Sequence, residues 1–416
     1  AEQKRQAELK KKAELKRQAE LKKQAELKRQ AELKKQAELK RQAEEKKQAK
    51  LKKQLNTWVG QMLMVGFKGQ KPNEPGVKKL AKQIKSGAVG GVVFLSHNIV
   101  SPKQVAKLTA AFHRKDDETP TFIAVDQEGG IVQRLSHKKG FAEYPTANAL
   151  GKRNDPLTAY EVYKGMAHEL LRYGFNLNMG PVVDLQRKDT NSIIAIKERA
   201  FGSKPRHVTA FAKAFCAAHH DAGVLTVLKH FPGHGSTTAD THTDPADISK
   251  TWSKDELLPY RKLIKSGDAE IIMVGHLTHA KMADKPGMPA SLSKKAVTDK
   301  LRKELKFTGV VISDDLEMTA VRKKHPLEDS VIRAINAGVD IILLGNQIKP
   351  SADLPERVAE IIRKAVADGK LKRERLKTSY ERILAVKRKL KGQQPKAIAS
   401  ANEHADNKGT TTPAGR

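Results

Sequence analysis

The feature that most constrains the fold is a regular alternation of short apolar runs and amphipathic segments, which begins at Thr57. The runs are rich in β-branched residues, as buried strands are, and the segments between them space their apolar residues as helices do. Strands are predicted at residues 91–95, 121–125, 175–183, 225–228, 271–274, 310–313 and 340–344, with an eighth at 62–67. Strands separated by helices form βαβ units and therefore a parallel sheet.

The predicted fold class is α/β, a (β/α)8 TIM-type barrel with an N-terminal charged single-helix extension. Eight strands over about 335 residues suit a barrel, and a doubly wound sheet remains the alternative. Helices are predicted at residues 102–114, 156–173, 206–222, 255–266, 294–305 and 327–337, with two closing helices at 355–367 and 371–390.

The first 56 residues are predicted to be a repeat helix that serves as a spacer or as an arm for anionic surfaces. The six-residue repeat AELKKQ/AELKRQ puts successive leucines about 600° apart on a helix, so no continuous apolar seam forms. This argues against an ordinary coiled coil. Each repeat places a glutamate three residues before a base, which supports a solvated helix about 80 Å long.

The net charge of the chain indicates which classes of partner to expect. The net charge is +32, of which residues 1–55 contribute +11, and this favours an anionic cell-envelope polymer as a partner of the basic arm. A specific nucleic-acid partner is not expected, because no basic patch is interleaved with aromatic residues.

One cysteine excludes an internal disulfide framework and a multi-thiolate metal site. Residues 57–391 are predicted to form a monomeric catalytic barrel and residues 392–416 a disordered tail.

Charged residues follow five of the predicted strands, where a barrel builds its active site. Asp126 and Glu128 follow one strand, Asp184 and Lys229–His230 follow the next two, and His276 and Asp314–Asp315 follow two more. A lone aspartate after a strand is commonly a helix cap. Five strands that deliver charge to one rim favour a functional site instead.

The stretch KHFPGHGSTTADTHTD, residues 229–244, allows two interpretations. His230, His234, His242 and Asp244 are competent metal ligands, although the spacing of a zinc helix is absent. The favoured interpretation is acid/base chemistry by Asp240 and His242, because a carboxylate orients an imidazole and raises its basicity. Asp314, at the end of another strand, can act as a nucleophile toward an anomeric carbon, with Asp315 as a cap.

Six motifs resemble those of glycoside hydrolase family 3, and specifically its β-N-acetylglucosaminidases (β-hexosaminidases). They are VDQEGGIVQRL (125–135), NMGPVVDL (178–185), ERAFG (198–202), KHFPGHGSTTADTH (229–242), MVGH (273–276) and GVVISDDLEM (309–318). The resemblance covers roughly residues 57–391. The segment AIKERAFG departs from the usual sequence before the arginine, and the resemblance does not extend to the repeat or the basicity.

The resemblance implies a role for each site residue. Asp314 would be the catalytic nucleophile and His242 the general acid/base, assisted by Asp240. The sugar of the −1 subsite would be held by Asp126, Arg134, Arg199, Lys229 and His230. The implied activity is exo-acting, retaining removal of terminal β-linked GlcNAc from peptidoglycan-derived fragments, with no metal or organic cofactor.

Alternative functions remain open at this stage. A GlcNAc phosphorylase would use the same residues, and a zinc-dependent hydrolase would use the histidine loop. A catalytically retired cell-wall or polyanion-binding protein would explain the charge, but Asp314, Asp240 and His242 are all present. A periplasmic, cell-envelope or secreted location is expected from the charge, the arm and the first residue, Ala1. The cytoplasm is the alternative that the resemblance favours.

Overall fold

The structure is a computed structural model that describes residues 1–114, 119–187, 192–237 and 246–390. The chain divides into two compact units, Ala1–Leu55 and Asn56–Arg416. Asp240 and His242, together with the tail after residue 390, lie outside the described residues.

The first unit is helical, and helix α1 has the bounds Glu2–Gln61. Side chains up to residue 50 are exposed, including the repeat leucines, for which Leu9 is 61% exposed. Glutamine amides donate to glutamates one turn earlier, as from Gln42 Nε2 to Glu38 Oε1 at 3.0 Å, and Arg41 pairs with Glu38 at 2.9 Å. Within the described ranges, no helix has the length and apolarity needed to cross a membrane.

Eight parallel strands form the second unit. They are β1 (Leu63–Val65), β2 (Gly91–Phe94), β3 (Phe122–Val125), β4 (Leu177–Asn178), β5 (Leu225–Phe231), β6 (Ile271–Val274), β7 (Val310–Ser313) and β8 (Ile342–Leu344). Each strand from β1 to β6 pairs with the next in this order, and β8 pairs with β1. A parallel bridge between Ile312 and Ile341 joins β7 to the start of β8. The predicted barrel-like sheet is therefore confirmed.

Helices follow the strands as the alternation predicts. They are α2 (Pro75–Lys85), α3 (Pro102–Ala110), α4 (Ala147–Arg153), α5 (Pro156–Arg172), α6 (Ile193–Ile196), α7 (Pro205–Ala222), α8 (Leu257–Ser266), α9 (Thr319–Arg322), α10 (Leu327–Ala337), α11 (Leu354–Ala367) and α12 (Arg373–Lys387). Capping residues explain several of the boundaries. Asp155 accepts from two backbone N–H groups at the start of α5, and Gly223 ends α7 with a φ of 84°.

Two segments differ from the sequence-based expectation. Residues 175–183 contain only the short strand β4 and a bridge from Val182 to Lys229, because Pro181 has no N–H to continue the ladder. The segment Lys295–Glu304, expected as an α-helix, is a π-helix. Its apolar residues Ala296, Val297 and Leu301 are nonetheless buried, as expected for an amphipathic segment.

A buried carboxylate closes the amino-terminal end of the barrel. Asp340, just before β8, accepts from the backbone N–H of Val311 in β7 at 3.0 Å. It also pairs with three guanidinium groups, those of Arg302, Arg375 (3.0 Å) and Arg382 (3.3 Å). Burial opposes ionisation, but these arginines outweigh it and hold the pKa of Asp340 below its usual value.

We expect Asp340→Ala to lower the free energy of unfolding by about 3–5 kcal/mol, because it leaves three guanidinium groups without their shared carboxylate. Urea denaturation of the purified protein measures this loss. The control is Asp299→Ala, which removes a 48% exposed partner of Lys303 and should cost less than about 1 kcal/mol. Equal losses in the two variants would contradict a special role for Asp340.

Candidate active site

A cavity of about 440 Å³ opens where the barrel strands end, within the size range of small-molecule sites. Six residues predicted from the sequence line it: Asp126, Arg134, Arg199, Lys229, His230 and Asp314. They come from the ends of β3, β5 and β7 and from the segments after β3 and β4. The structure thus brings together every predicted site residue that it describes.

A chain of buried ion pairs forms the floor of the cavity. Lys229 Nζ lies 2.8 Å from Asp126 Oδ1 and 2.7 Å from Glu128 Oε1. Glu128 in turn accepts two hydrogen bonds from Arg199, at 2.8 Å from Nε and 2.7 Å from Nη2. Arg134 Nη2 reaches the second oxygen of Asp126 at 3.3 Å. Each cation of the floor therefore has a carboxylate partner, and the geometry of the group is fixed before any ligand binds.

The ion pairs keep both carboxylates charged. Burial opposes ionisation of Asp126 and Glu128, but the neighbouring cations outweigh it. Lys229 and Arg134 hold the pKa of Asp126 well below its usual range, and Arg199 and Lys229 lower the pKa of Glu128 to about 2. At neutral pH Asp126 is therefore an acceptor with lone pairs available to hydroxyl groups.

A fully buried aspartate orients His230. Asp184 Oδ2 lies 2.8 Å from His230 Nδ1, and its Oδ1 accepts from the backbone N–H groups of His230 (3.0 Å) and His234 (2.8 Å). An ionised carboxylate only accepts, so Nδ1 carries the proton of this hydrogen bond. His230 Nε2 then faces Arg199 Nη2 at 3.5 Å. Asp184 thus sets both the tautomer and the direction of the ring.

Hydrogen bonds to neighbouring segments fix the residues at the end of β7. The Asp314 N–H donates to the Val274 carbonyl at 3.0 Å, and Asp314 Oδ1 accepts from the Asp315 N–H at 2.8 Å. Asp315 accepts from the N–H groups of Glu317 (3.0 Å) and Gly345 (2.8 Å). It therefore does not cap a helix as expected, since the N-cap of α9 is Met318. His276 Nε2 lies 2.8 Å from the Asp315 carbonyl. The Asp314 backbone is thereby anchored to β6.

The described start of the histidine loop is held by another buried acid, Glu256, which precedes α8. Its Oε1 accepts from Ser236 Oγ at 2.8 Å, and its Oε2 accepts from the Leu185 N–H at 3.1 Å. Thr237 Oγ1 donates to the His234 carbonyl at 3.0 Å. Glu256 thus joins the segments after β4 and β5. Thr237 stands three residues before the predicted acid/base residue Asp240.

The comparison with known families identifies the chain. Residues 54–386 match the family model described as the glycosyl hydrolase family 3 N terminal domain. The chain belongs to glycosyl hydrolase family 3. The family resemblance inferred from the six sequence motifs is thereby confirmed.

The relatives of this family 3 chain are named β-hexosaminidases. A β-hexosaminidase of Xylella fastidiosa (strain M23) is 37% identical over 68% of this chain and 83% of its own length. β-Hexosaminidase A of Pseudoalteromonas piscicida is 31% identical over 84% of this chain. The family 3 chain spans only 63% of the length of that relative.

Solved structures agree with these relatives. A family 3 β-N-acetylglucosaminidase from Paenibacillus sp. str. FPU-7 has a TM-score of 0.74 and 30% identity, covering 86% of this chain and 66% of that one. A β-N-acetylhexosaminidase from Beutenbergia cavernae has a TM-score of 0.69 and 32% identity, covering 80% of this chain and 98% of that one.

Three site residues of the family 3 chain were given no catalytic or binding role by the sequence, although Glu128 and Asp184 belong to the predicted rim of charged residues. Glu128 lies two residues after Asp126, a spacing that places both on one side of an extended chain. Asp184 follows the strand predicted at residues 175–183, but an acid there also suits a helix cap. Glu256 carries no signal, because acids are common at the start of a helix. Only the folded barrel shows that each of these acids binds a second segment.

The metal interpretation of the histidine loop involves both described and undescribed residues. The rings of His230 and His234 are 5.3 Å apart, while His242 and Asp244 lie outside the described part of the chain. Among the described residues, no group of three or more histidine, cysteine, aspartate or glutamate side chains is arranged to hold a metal ion. The described ring of His230 is bound to Asp184 instead.

The pKa of Glu256 gives a testable pH dependence. Burial, and then the charge of Asp184, raise its pKa from 4.5 to about 7. An acid with a raised folded-state pKa loses its stabilising contribution as pH rises above the unfolded-state value. We therefore expect the unfolding free energy of the wild type, relative to Glu256→Gln, to fall by about 3 kcal/mol between pH 4.5 and 7.

Urea titrations at several pH values measure this difference. The exposed Glu143→Gln variant is the control for removal of one negative charge. A difference curve for Glu256→Gln that matches the Glu143→Gln curve would show that Glu256 is ionised like a surface glutamate.

Proposed function

We propose that this chain is an exo-acting, retaining β-N-acetylglucosaminidase that removes terminal β-linked GlcNAc. The observation that supports the proposal most strongly is that Asp314 lines the same cavity as the Asp126–Lys229 ion pair. It joins a carboxylate at the end of β7 to a preorganised set of hydroxyl-binding groups. Membership of glycosyl hydrolase family 3 and the names of the relatives support the same activity.

The floor of the cavity suits a neutral sugar. The carboxylate of Asp126 accepts from sugar hydroxyl groups, while Lys229 and Arg134 donate to hydroxyl or acetamido oxygens. Since each charge of this floor already has a partner of opposite sign, a neutral ring can bind without leaving a buried charge unpaired. Arg199 and His230 complete the proposed −1 subsite.

The proposed reaction has two steps. The carboxylate of Asp314 bonds to the anomeric carbon as the glycosidic bond breaks, and His242 donates its proton to the departing oxygen. His242 then takes a proton from water, which attacks the anomeric carbon and releases GlcNAc and the Asp314 carboxylate. Asp240 would orient the His242 ring.

Peptidoglycan-derived fragments are the proposed natural substrates, on the basis of the family motifs. With phosphate in place of water, the same residues would make the chain a phosphorylase. The exposed arm, with its net charge of +11, supports a proposed attraction to an anionic cell-envelope polymer and hence an envelope location.

We expect the wild type to hydrolyse p-nitrophenyl β-N-acetylglucosaminide in the presence of EDTA. Asp314→Ala should lower kcat by about three orders of magnitude or more, because it removes the atom that bonds to the anomeric carbon. Continuous absorbance of nitrophenolate measures both rates.

Two comparisons make this result interpretable. Asp299→Ala, on an exposed surface of the π-helix, should retain wild-type activity. Azide should restore turnover to Asp314→Ala and yield a glycosyl azide of inverted configuration, because azide occupies the space of the lost carboxylate. Equal hydrolysis by wild type and Asp314→Ala would remove Asp314 from the nucleophile role.

A further inference from the structure

We propose that Lys197 forms a subsite for negative charge on the leaving group of the substrate. This inference rests on the proposed glycosidase function and adds a specificity-determining residue to it. The cations that line the cavity differ in whether they are paired with a carboxylate. Arg134, Arg199 and Lys229 are paired with Asp126 or Glu128. Lys197 lines the same cavity, and the described part of the chain provides no carboxylate partner for its ammonium group.

The backbone that carries Lys197 is fixed. Ser192 caps α6 by accepting from the Ile194 N–H at 3.2 Å, and the same hydroxyl donates to the His234 carbonyl at 3.2 Å. Ile194 is fully buried in a cluster with Val182 and Ala200. The Lys197 N–H donates to the Ile193 carbonyl at 3.3 Å. The start of the lysine side chain is therefore held in place by backbone contacts, and no carboxylate among the described residues pairs with its charge.

The neighbouring glutamate does not neutralise this lysine. Glu198 has a φ of 54°, a left-handed conformation, and its Oε2 accepts from Thr146 Oγ1 at 3.0 Å. Its side chain is thus committed to the segment before α4. Acids after β7 also line the cavity, but Asp315 accepts from the Gly345 N–H at 2.8 Å and Glu317 from the Asn346 N–H at 2.5 Å.

The position of Lys197 relates it to the leaving group rather than to the bound sugar. The cavity is also lined by Ile131 and Ile348, which are 63% and 66% exposed and therefore mark its mouth. Lys197 is itself partly exposed, whereas Lys229 on the floor is only 3% exposed. An exo-acting enzyme binds the terminal sugar on the floor, so the leaving group stays at the mouth.

This arrangement favours a leaving group of mixed character. The two exposed isoleucines offer apolar surface, and a single ammonium group attracts a carboxylate as a point charge. Solvent access keeps such an interaction modest and sensitive to salt. The preferred substrates are therefore β-GlcNAc glycosides whose leaving group carries a carboxylate close to an apolar portion.

The test compares two substrates that differ in charge but little in shape, the 4-carboxyphenyl and 4-carbamoylphenyl β-N-acetylglucosaminides. The measured quantity is the ratio of kcat/KM for the charged substrate to kcat/KM for the neutral one. We expect Lys197→Gln to lower this ratio about fivefold relative to wild type, mainly through KM. Intrinsic differences between the two phenols cancel in the comparison.

Three controls isolate the charge. Lys197→Arg should keep the wild-type ratio, because it retains the cation. Lys262→Gln removes an exposed lysine of α8 that does not line the cavity, and it should also keep the ratio. Added sodium chloride should lower the ratio in wild type and leave it nearly constant in Lys197→Gln.

The outcomes separate the two proposals. An unchanged ratio in Lys197→Gln, with wild-type activity on the neutral glycoside, would overturn the subsite and leave the glycosidase standing. A rate increase with inorganic phosphate at constant ionic strength, lost in Lys197→Gln, would assign the lysine to an acceptor anion and overturn the leaving-group role. Failure of the wild type to cleave either glycoside would overturn both.

Discussion

The Lys229 ammonium group is the charge on which the organisation of the cavity depends. It lies between Asp126 and Glu128 and pairs with both, and Glu128 also pairs with Arg199. Because Arg199 follows α6 and Lys229 belongs to β5, this one chain of contacts joins the segments after β3, β4 and β5. Burial of any one of these charges alone would be very costly, so each member is stable only while its partners are present.

Buried charges are also paired at the other end of the barrel, but there they do not form part of the cavity. Asp340 joins β7 to the segment before β8 and to α12 through buried ion pairs. No described member of that cluster lines the active-site cavity. In the cavity, by contrast, Asp126 is 21% exposed in its side chain and keeps acceptor capacity for a ligand. Exposure to the cavity, rather than pairing itself, distinguishes the binding cluster from the structural one.

The sequence predicted more of the barrel than of the site. Strand and helix periodicity is a local property, so all eight strands could be predicted, while the interruption by Pro181 shortened one of them. Motif resemblance assigned roles to six residues that line the cavity. It did not assign a role to Glu128, Asp184 or Glu256, whose contacts reach residues up to 101 positions away in the chain. Such contacts leave no periodic or local signal.

Paired and unpaired cations recognise different properties of a ligand. A floor of paired charges, such as that formed by Asp126, Lys229 and Glu128, distinguishes ligands by where their hydroxyl groups lie. A cation at the mouth that has no carboxylate partner among the described residues, such as Lys197, attracts charge without demanding a particular geometry. In the proposed reaction the sugar on the floor is neutral, and the leaving group must depart into solvent. Strong, fixed contacts therefore suit the sugar, and a weak, screened contact suits the group that has to be released.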